Sequence, residues 1–309
     1  MKKSILILLA VLISFNLFAW NALEGTENVL PEKPYKVAAL LKTLQNPFWV
    51  AMRDGLQEEA ERLGIQLDVY AAQTENDMSG QLAIMESIVQ KDYDAILFAP
   101  ITPTNLIPAI VEANKKGIVV ANLDAAIDFE KLNQAGGHVV GFVSTNNYNV
   151  GKMAAQYIAN LIGEGEVAVI EGIAGEVSSE NRKNGFLDEI KKYENIKVVS
   201  VQPANWDRMR ALDVATNMLT SFPNIKAIYA CNDTMALGAA QAVFNMGKSG
   251  KVHVVGTDGI PEALQAVQSG RMSATIAQDP AGIGVATLRV AIFTLNAMNG
   301  EVPAQLITK

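Results

Sequence analysis

Cysteine is nearly absent. Cys231 is the single one in 309 residues, so no disulfide can close within one copy of the chain. Histidine is almost as scarce: His138 and His253 stand alone, without the spacing of metal ligands, and no Cys–His or Ser–His–Asp set accompanies them. Basic charge is in deficit, with 25 Lys and Arg against 32 Asp and Glu for a formal net charge of −7. Binding nucleic acid or anionic lipid through bulk charge is therefore not expected. Long runs of like charge and low-complexity tracts are missing as well, which argues against extended disorder. Aromatic residues make up 6% of the chain, so a group of large rings at one level of a fold is informative.

Half of the residues are hydrophobic, ample for more than one compact lobe. The N-terminus is not part of that core. Met1-Lys2-Lys3 supply a positive start, Ser4 to Ala19 an apolar run, and Asn21, Glu24 and Glu27 end it. This is the pattern of a secretory signal peptide over residues 1–19, too short an apolar run for the roughly 20 residues of a spanning helix. Its removal takes away Lys2 and Lys3 and brings the net charge from −7 to −9. No other segment reads as apolar enough to span a bilayer. With export and no lipid acceptor near the start, the expected location is the periplasm.

From Tyr35 onward, apolar strands alternate with amphipathic helices. The first series of strand-like runs is Val37–Leu41, Ile65–Ala71, Ala95–Ala99 and Ile118–Asn122. The second is Val139–Val143, Glu166–Ile170, Ile196–Val201, Ile225–Ala230, Val252–Gly256 and Ala274–Ala277. Strands apolar throughout imply sheets covered on both faces, and helices between them imply parallel connections. The rhythm breaks over Asp124 to His138, where no long helix is evident, and then restarts. The expectation is an α/β protein of two similar doubly wound parallel-sheet lobes joined by a hinge. The N-terminal lobe would take residues 35–144 plus 279–298, and the C-terminal lobe 145–278 plus 299–309. The chain would cross near 143–146, again near 278–280, and a third time near its end. Asn46-Pro47 and Asp279-Pro280 each set a capping side chain before a proline at the first helical position.

Ligands of open α/β sheets bind beyond the carboxyl ends of the strands. Polar residues gather there: Lys42 and Asn46 after the first strand, then Asp124, Asn232, Asp258 and Gln278 after later ones. Phe48, Trp49 and Trp206 lie at the same level. Flat rings can cover the C–H faces of a sugar while planar polar groups take its hydroxyls. Charge-assisted hydrogen bonds contribute about 1.5–3 kcal/mol each and an aromatic stack about 1 kcal/mol. Each residue alone has a plainer role: Asn46 as a cap only, Asp258 as a turn residue before Gly259, Lys42 and Arg182 as solvated charges, Phe48 and Trp206 as core. Their shared position favours a binding site, and the set calls for neither metal nor cofactor. Gly247-Lys248-Ser249 mimics the tail of a phosphate loop but ends a helix instead of opening one.

Taken in order, several segments resemble the periplasmic sugar-binding proteins of the ribose/allose/galactose type, over nearly the whole mature length. They are Leu41-Lys42-Thr43-Leu44-Gln45-Asn46-Pro47-Phe48-Trp49, Ala121-Asn122-Leu123-Asp124, Gln202-Pro203-Ala204-Asn205-Trp206-Asp207-Arg208, Asn232-Asp233-Thr234-Met235-Ala236, Val255-Gly256-Thr257-Asp258-Gly259-Ile260-Pro261-Glu262-Ala263 and Thr275-Ile276-Ala277-Gln278. The resemblance implies the type I periplasmic binding protein fold and a receptor, not an enzyme, that delivers one monosaccharide to the permease of an ABC importer, with a chemotaxis receptor as a further partner. It implies Lys42, Asn46 and Asp124 as sugar ligands from the N-terminal lobe, and Arg182, Asn232 and Asp258 from the C-terminal lobe. Gln278 would lie at a hinge, with Phe48 and Trp49 stacked on one side of the sugar and Trp206 on the other. Arg182 follows from the resemblance alone. Lys42, Trp49, Ala99 and Trp206 suit an allose-like hexose first, with ribose or psicose next. Three positions depart from the family pattern: Ala125 lacks the charge common after the aspartate, Cys231 replaces Ala or Gln, and the chain ends soon after Val302-Pro303. The rival reading is a sugar-processing enzyme of glycoside hydrolase type using Asp124 and Asp258 as its carboxylate pair. A repressor of the same fold would need an N-terminal helix-turn-helix, where this chain carries the export signal.

Overall fold

The computed structural model describes residues 29–299. The expected signal peptide and the expected third crossing, near the C-terminus, lie outside the described residues. The chain divides into two units, one running to Thr145 and resuming at Asp279, the other comprising Asn146–Gln278.

In the first unit, strands β1 (Lys36–Leu41), β2 (Gln66–Ala71), β3 (Ala95–Phe98), β4 (Val119–Leu123) and β5 (Phe142–Val143) alternate with α1 (Pro47–Leu63), α2 (Met78–Val89), α3 (Ile107–Lys115) and α4 (Phe129–Gln134). All strand pairs are parallel, in the order β2-β1-β3-β4-β5. The central strand β3, Ala-Ile-Leu-Phe, is buried at every residue, as expected of a parallel strand with helices on both faces. Ala38, Leu40, Ile96, Phe98 and Val120 present one face of the sheet to Met85, Ile88, Leu106 and Ile110. The stretch that broke the sequence rhythm holds α4, six residues capped by Asp128.

Asp279 accepts from Gly282 N at 2.8 Å and opens the last helix, α10 (Pro280–Asn299), which returns to the first unit. By length and composition α10 could cross a membrane, contrary to the expectation that no segment after the signal would. It serves the unit's own interior instead: Ile283, Ala286, Leu288, Ala291 and Ile292 are buried. Its Arg289 reaches Glu59 of α1 at 2.6 Å, a buried ion pair that a lipid environment would not supply.

The second unit repeats the scheme. It has α5 (Asn147–Ile162), β6 (Gly165–Glu171), α6 (Val177–Ile190), β7 (Ile196–Pro203), α7 (Arg208–Ser221), β8 (Ile225–Ala230), α8 (Asp233–Asn245), β9 (His253–Asp258), α9 (Pro261–Gln268) and β10 (Ala274–Ala277). The parallel order is β7-β6-β8-β9-β10, which is second-first-third-fourth-fifth, the same as in the first unit. The two similar doubly wound α/β lobes expected from the sequence are therefore observed. Phe186 of α6 lies flat on Tyr229 of β8, with centroids 4.9 Å apart and planes 13° apart, and joins helix to sheet. In both units the connections reverse direction next to the first strand, beside β1 and β3 or β6 and β8. The carboxyl ends of strands at such a reversal diverge and leave room for a ligand.

Candidate functional site

Strand β1 of the first unit delivers Lys42 at its carboxyl end, and α1 begins five residues later. Asn46 caps α1: its backbone is extended, and its Oδ1 accepts from Phe48 N at 3.0 Å. Phe48 and Trp49 follow in the first turn and are 5% and 3% exposed. Their rings meet edge to face, 5.1 Å apart at 86°. The Lys42 ammonium sits 5.8 Å from the centre of the Trp49 ring, a cation held against an aromatic face. Lys42, Asn46, Phe48 and Trp49 thus form one group. One hydrogen of the Asn46 amide is taken by Glu75 Oε1 at 2.9 Å.

Asp124 lies at the end of β4, two strands across the sheet from Lys42. Its φ of 57° is left-handed, unfavourable for a residue with a Cβ. Two bonds hold it there: its own N–H donates to Val143 O at 2.8 Å, and Ser144 Oγ donates to its carbonyl at 2.7 Å. The carboxylate is buried. Asn122 underpins the same turn. Its amide donates to Phe98 O and Ala125 O, and its Oδ1 accepts from Ile127 N at 2.9 Å. Gln81, fully buried, does the same after β3, with bonds to Ala99 O and Ile101 N.

In the second unit, Arg182 is 5% exposed and its guanidinium ties several segments together. Nε donates to Asn147 Oδ1 and Nη1 to Cys231 O, both at 2.7 Å, and Nη1 lies 3.5 Å from Asp258 Oδ1. Gln278 Nε2 donates to the same Asp258 oxygen at 2.6 Å. The guanidinium carbon stands 5.8 Å from the Trp206 ring. Arg182, Trp206, Asp258 and Gln278 are therefore one connected group. Asn232 is placed at the end of β8, where its Oδ1 caps α8 by accepting from Met235 N at 2.9 Å.

Beside Arg182, α5 and α6 cross closely: a Cβ at Gly151 would collide with the Arg182 carbonyl. Trp206 owes its place to Gly172, since its indole covers the spot where a Cβ at 172 would project. Asn205 and Trp206 both have left-handed backbones, with φ of 54° and 62°, and Asp258 has a φ of 130°. Among the described residues the non-glycine positions with positive φ are Asp124, Asn205, Trp206 and Asp258. Three of these were singled out from sequence as ligand-binding. Backbone strain of this kind costs about 1–3 kcal/mol per residue and tends to persist where function requires the geometry.

Sequence reasoning missed Glu75, Asn122, Asn147 and Asp233. Asp233 is wholly buried and ties the loop after Asp258: its carboxylate accepts from Gly259 N at 2.8 Å, Ile260 N at 3.0 Å and Thr275 Oγ1 at 2.7 Å. Burial outweighs these donors and pushes its carboxyl up to about 6. The Cys231 thiol is likewise pushed up to about 12 by burial, which removes it as a nucleophile. Asp258 faces Arg182 and accepts from Gln278, so it is built as a hydrogen-bond acceptor and not as the proton donor a glycosidase needs. A surface hollow of about 640 Å³ lies near the amino ends of β8 and β9, lined by Leu161, Pro223, Lys226, Lys248 and His253. That is the opposite edge of this sheet from the candidate residues of the second unit.

Both units carry cations and carboxylates at the carboxyl ends of their strands: Lys42, Asp124 and Glu75 in the first, Arg182 and Asp258 in the second. Such a set offers charge-assisted donors and acceptors suited to a polyhydroxylated molecule. The fold and these faces define a solute-binding protein. The chain belongs to the periplasmic binding protein domain family, whose model matches residues 37–298.

It is 52% identical over 257 residues to the D-allose-binding periplasmic protein of Escherichia coli K12, covering 82% of this chain and 83% of that one. It is 33% identical to the ribose import binding protein RbsB of Bacillus subtilis, covering 92% and 90%. Among solved structures it superposes on an ABC transporter periplasmic solute-binding protein of Actinobacillus succinogenes with bound D-allose, at a TM-score of 0.79 and 39% identity over 88% of this chain and 94% of that one. These relatives are binding proteins, in line with a receptor and against an enzyme.

Proposed function

We propose that this chain is the substrate-binding receptor of an ABC-type sugar importer and holds one monosaccharide, a D-allose-like hexose in first place and ribose or psicose next. The single observation that carries the reading is the coincidence of strain with chemistry. Asp124, Trp206 and Asp258 adopt costly backbone conformations at the carboxyl ends of their sheets, the last two beside Arg182. Lys42, Asn46 and Asp124 from the first unit, and Arg182, Asn232, Asp258 and Gln278 from the second, are its proposed hydroxyl ligands. Phe48, Trp49 and Trp206 are the apolar surfaces. The 52% identity to a D-allose-binding protein supports the choice of sugar.

Export behind a signal peptide of residues 1–19 would carry the protein to the periplasm. The permease of the importer is the proposed partner, with a chemotaxis receptor as a second. Since ligands come from both units, a bound sugar favours the arrangement in which both reach it, and only to the extent that this arrangement adds contacts. The purified mature protein should gain thermal stability from D-allose in a panel of pentoses and hexoses, because a ligand that binds only the native state raises its melting point. The reading is wrong if no monosaccharide stabilises the protein, or if glycosides are turned over.

A further inference from the structure

Glu75 lies in the loop that follows β2 and leads to α2, in none of the motifs that mark the site. One of its oxygens, Oε1, accepts two hydrogen bonds from the start of α1: from Asn46 Nδ2 at 2.9 Å and from Trp49 Nε1 at 3.2 Å. Asn46 Oδ1 is already committed to Phe48 N at 3.0 Å. The amide is therefore pinned at both ends. Turning it over would aim its NH₂ at the Phe48 N–H and its oxygen at the Glu75 carboxylate, and both contacts would be repulsive. The second Nδ2 hydrogen is left with one direction. The Trp49 ring is fixed in the same way, because an anchored Nε1 leaves a two-torsion side chain little freedom. That ring is also the one Lys42 lies against, 5.8 Å from its centre.

We propose that Glu75 is a positioning residue of the sugar site: through a single carboxylate oxygen it sets the orientation of the Asn46 amide and the Trp49 indole together. The proposal rests on the sugar-binding reading above and deepens it. A polar donor and an apolar plane held at a constant mutual angle by one acceptor select sugars whose hydroxyl and C–H face stand at that angle. Glu75 thereby acts on specificity without having to touch the ligand.

The test uses the full mature protein with D-allose as probe, read by calorimetry, and the indole N–H signals of the sugar-free protein read by nuclear magnetic resonance, with Trp49 assigned through W49F. E75Q keeps an oxygen acceptor and loses the charge; E75A loses both; E75D keeps the charge but draws the acceptor back by one methylene. Expected are a Trp49 signal that stays hydrogen-bonded in E75Q and moves to the free-indole position in E75A and E75D. D-allose affinity should fall about tenfold in E75A and E75D, and no more than about threefold in E75Q. The proposal is overturned if E75A and E75D leave both readouts unchanged, or if E75Q falls as far as E75A, which would make the charge itself the contributor. If the unaltered protein takes up no D-allose, the sugar reading fails, and the Trp49 signal in the sugar-free protein still decides the role of Glu75.

Discussion

A methyl group at position 172 should disable the second unit's aromatic surface while leaving the rest of the fold in place. Trp206 lies so close over Gly172 that an added Cβ would overlap its Cζ2, Cε2 and Cη2 atoms. Carbon atoms in contact settle at about 3.5–4.0 Å, so in Gly172→Ala the ring must retreat by about 1.5 Å. It has little freedom to do so. The indole is 7% exposed, its own backbone and that of Asn205 are left-handed, and Arg182 stands 5.8 Å from the ring. Overpacking of this kind costs about 1–3 kcal/mol, and a displaced stack forfeits a further 0.5–1.5 kcal/mol, about. If some two kilocalories appear in binding, affinity for D-allose should drop about 30-fold. Calorimetry measures the loss, tryptophan fluorescence reports the movement of the ring, and the thermal midpoint of the sugar-free protein shows how much of the strain falls on stability. Unchanged affinity with unchanged emission would refute the reasoning, since it would mean that the ring neither depends on Gly172 nor meets the ligand.

Three further outcomes are expected. Asp124→Ala should weaken D-allose binding by about 100-fold or more, a buried charged acceptor being worth roughly 3 kcal/mol, with the circular dichroism spectrum kept; equal affinity by calorimetry would remove Asp124 from the site. Asp233 should make stability fall as pH rises from 4 to 6: its folded pKa of about 6 lies above the ordinary aspartate value, so the native state holds its proton longer than the unfolded chain does. The cost is full above pH 6 at about 3 kcal/mol, and parallel pH profiles for the natural protein and Asp233→Asn in denaturant titrations would contradict it. Small-angle scattering should show a smaller radius of gyration when D-allose is added, and superimposable curves would count against closure on the sugar.

The strand-end residues were legible because of a simple geometric fact. In a parallel βα repeat the residue after each strand falls on one edge of the sheet, whichever helix follows. Counting apolar runs was therefore enough to bring Lys42, Asn46, Asp124, Asn232, Asp258 and Gln278 to that edge. Capping patterns worked for the same local reason: Asn46 and Asp279 act within three residues of themselves. The resemblance added Arg182, which the local rule misses because it lies inside α6 and meets Cys231 O and Asn147 by reaching sideways.

Partners separated widely along the chain could not be read in advance. Glu75 meets Asn46 across 29 residues, Asn147 meets Arg182 across 35, and Asp233 meets Thr275 across 42. Each is an ordinary polar residue in an ordinary segment, and only the packing of separate βα units sets it beside its partner. The sequence by itself determined the alternation of strand and helix, the two-lobed class and the edge on which the polar residues collect, because hydrophobic periodicity and capping are local. Tertiary structure alone decided the identical strand order of the two sheets, the perpendicular setting of Phe48 against Trp49 and the left-handed turns at Asp124, Trp206 and Asp258. These depend on which surfaces finally press together, and that is a property of the whole fold, not of any short stretch of it.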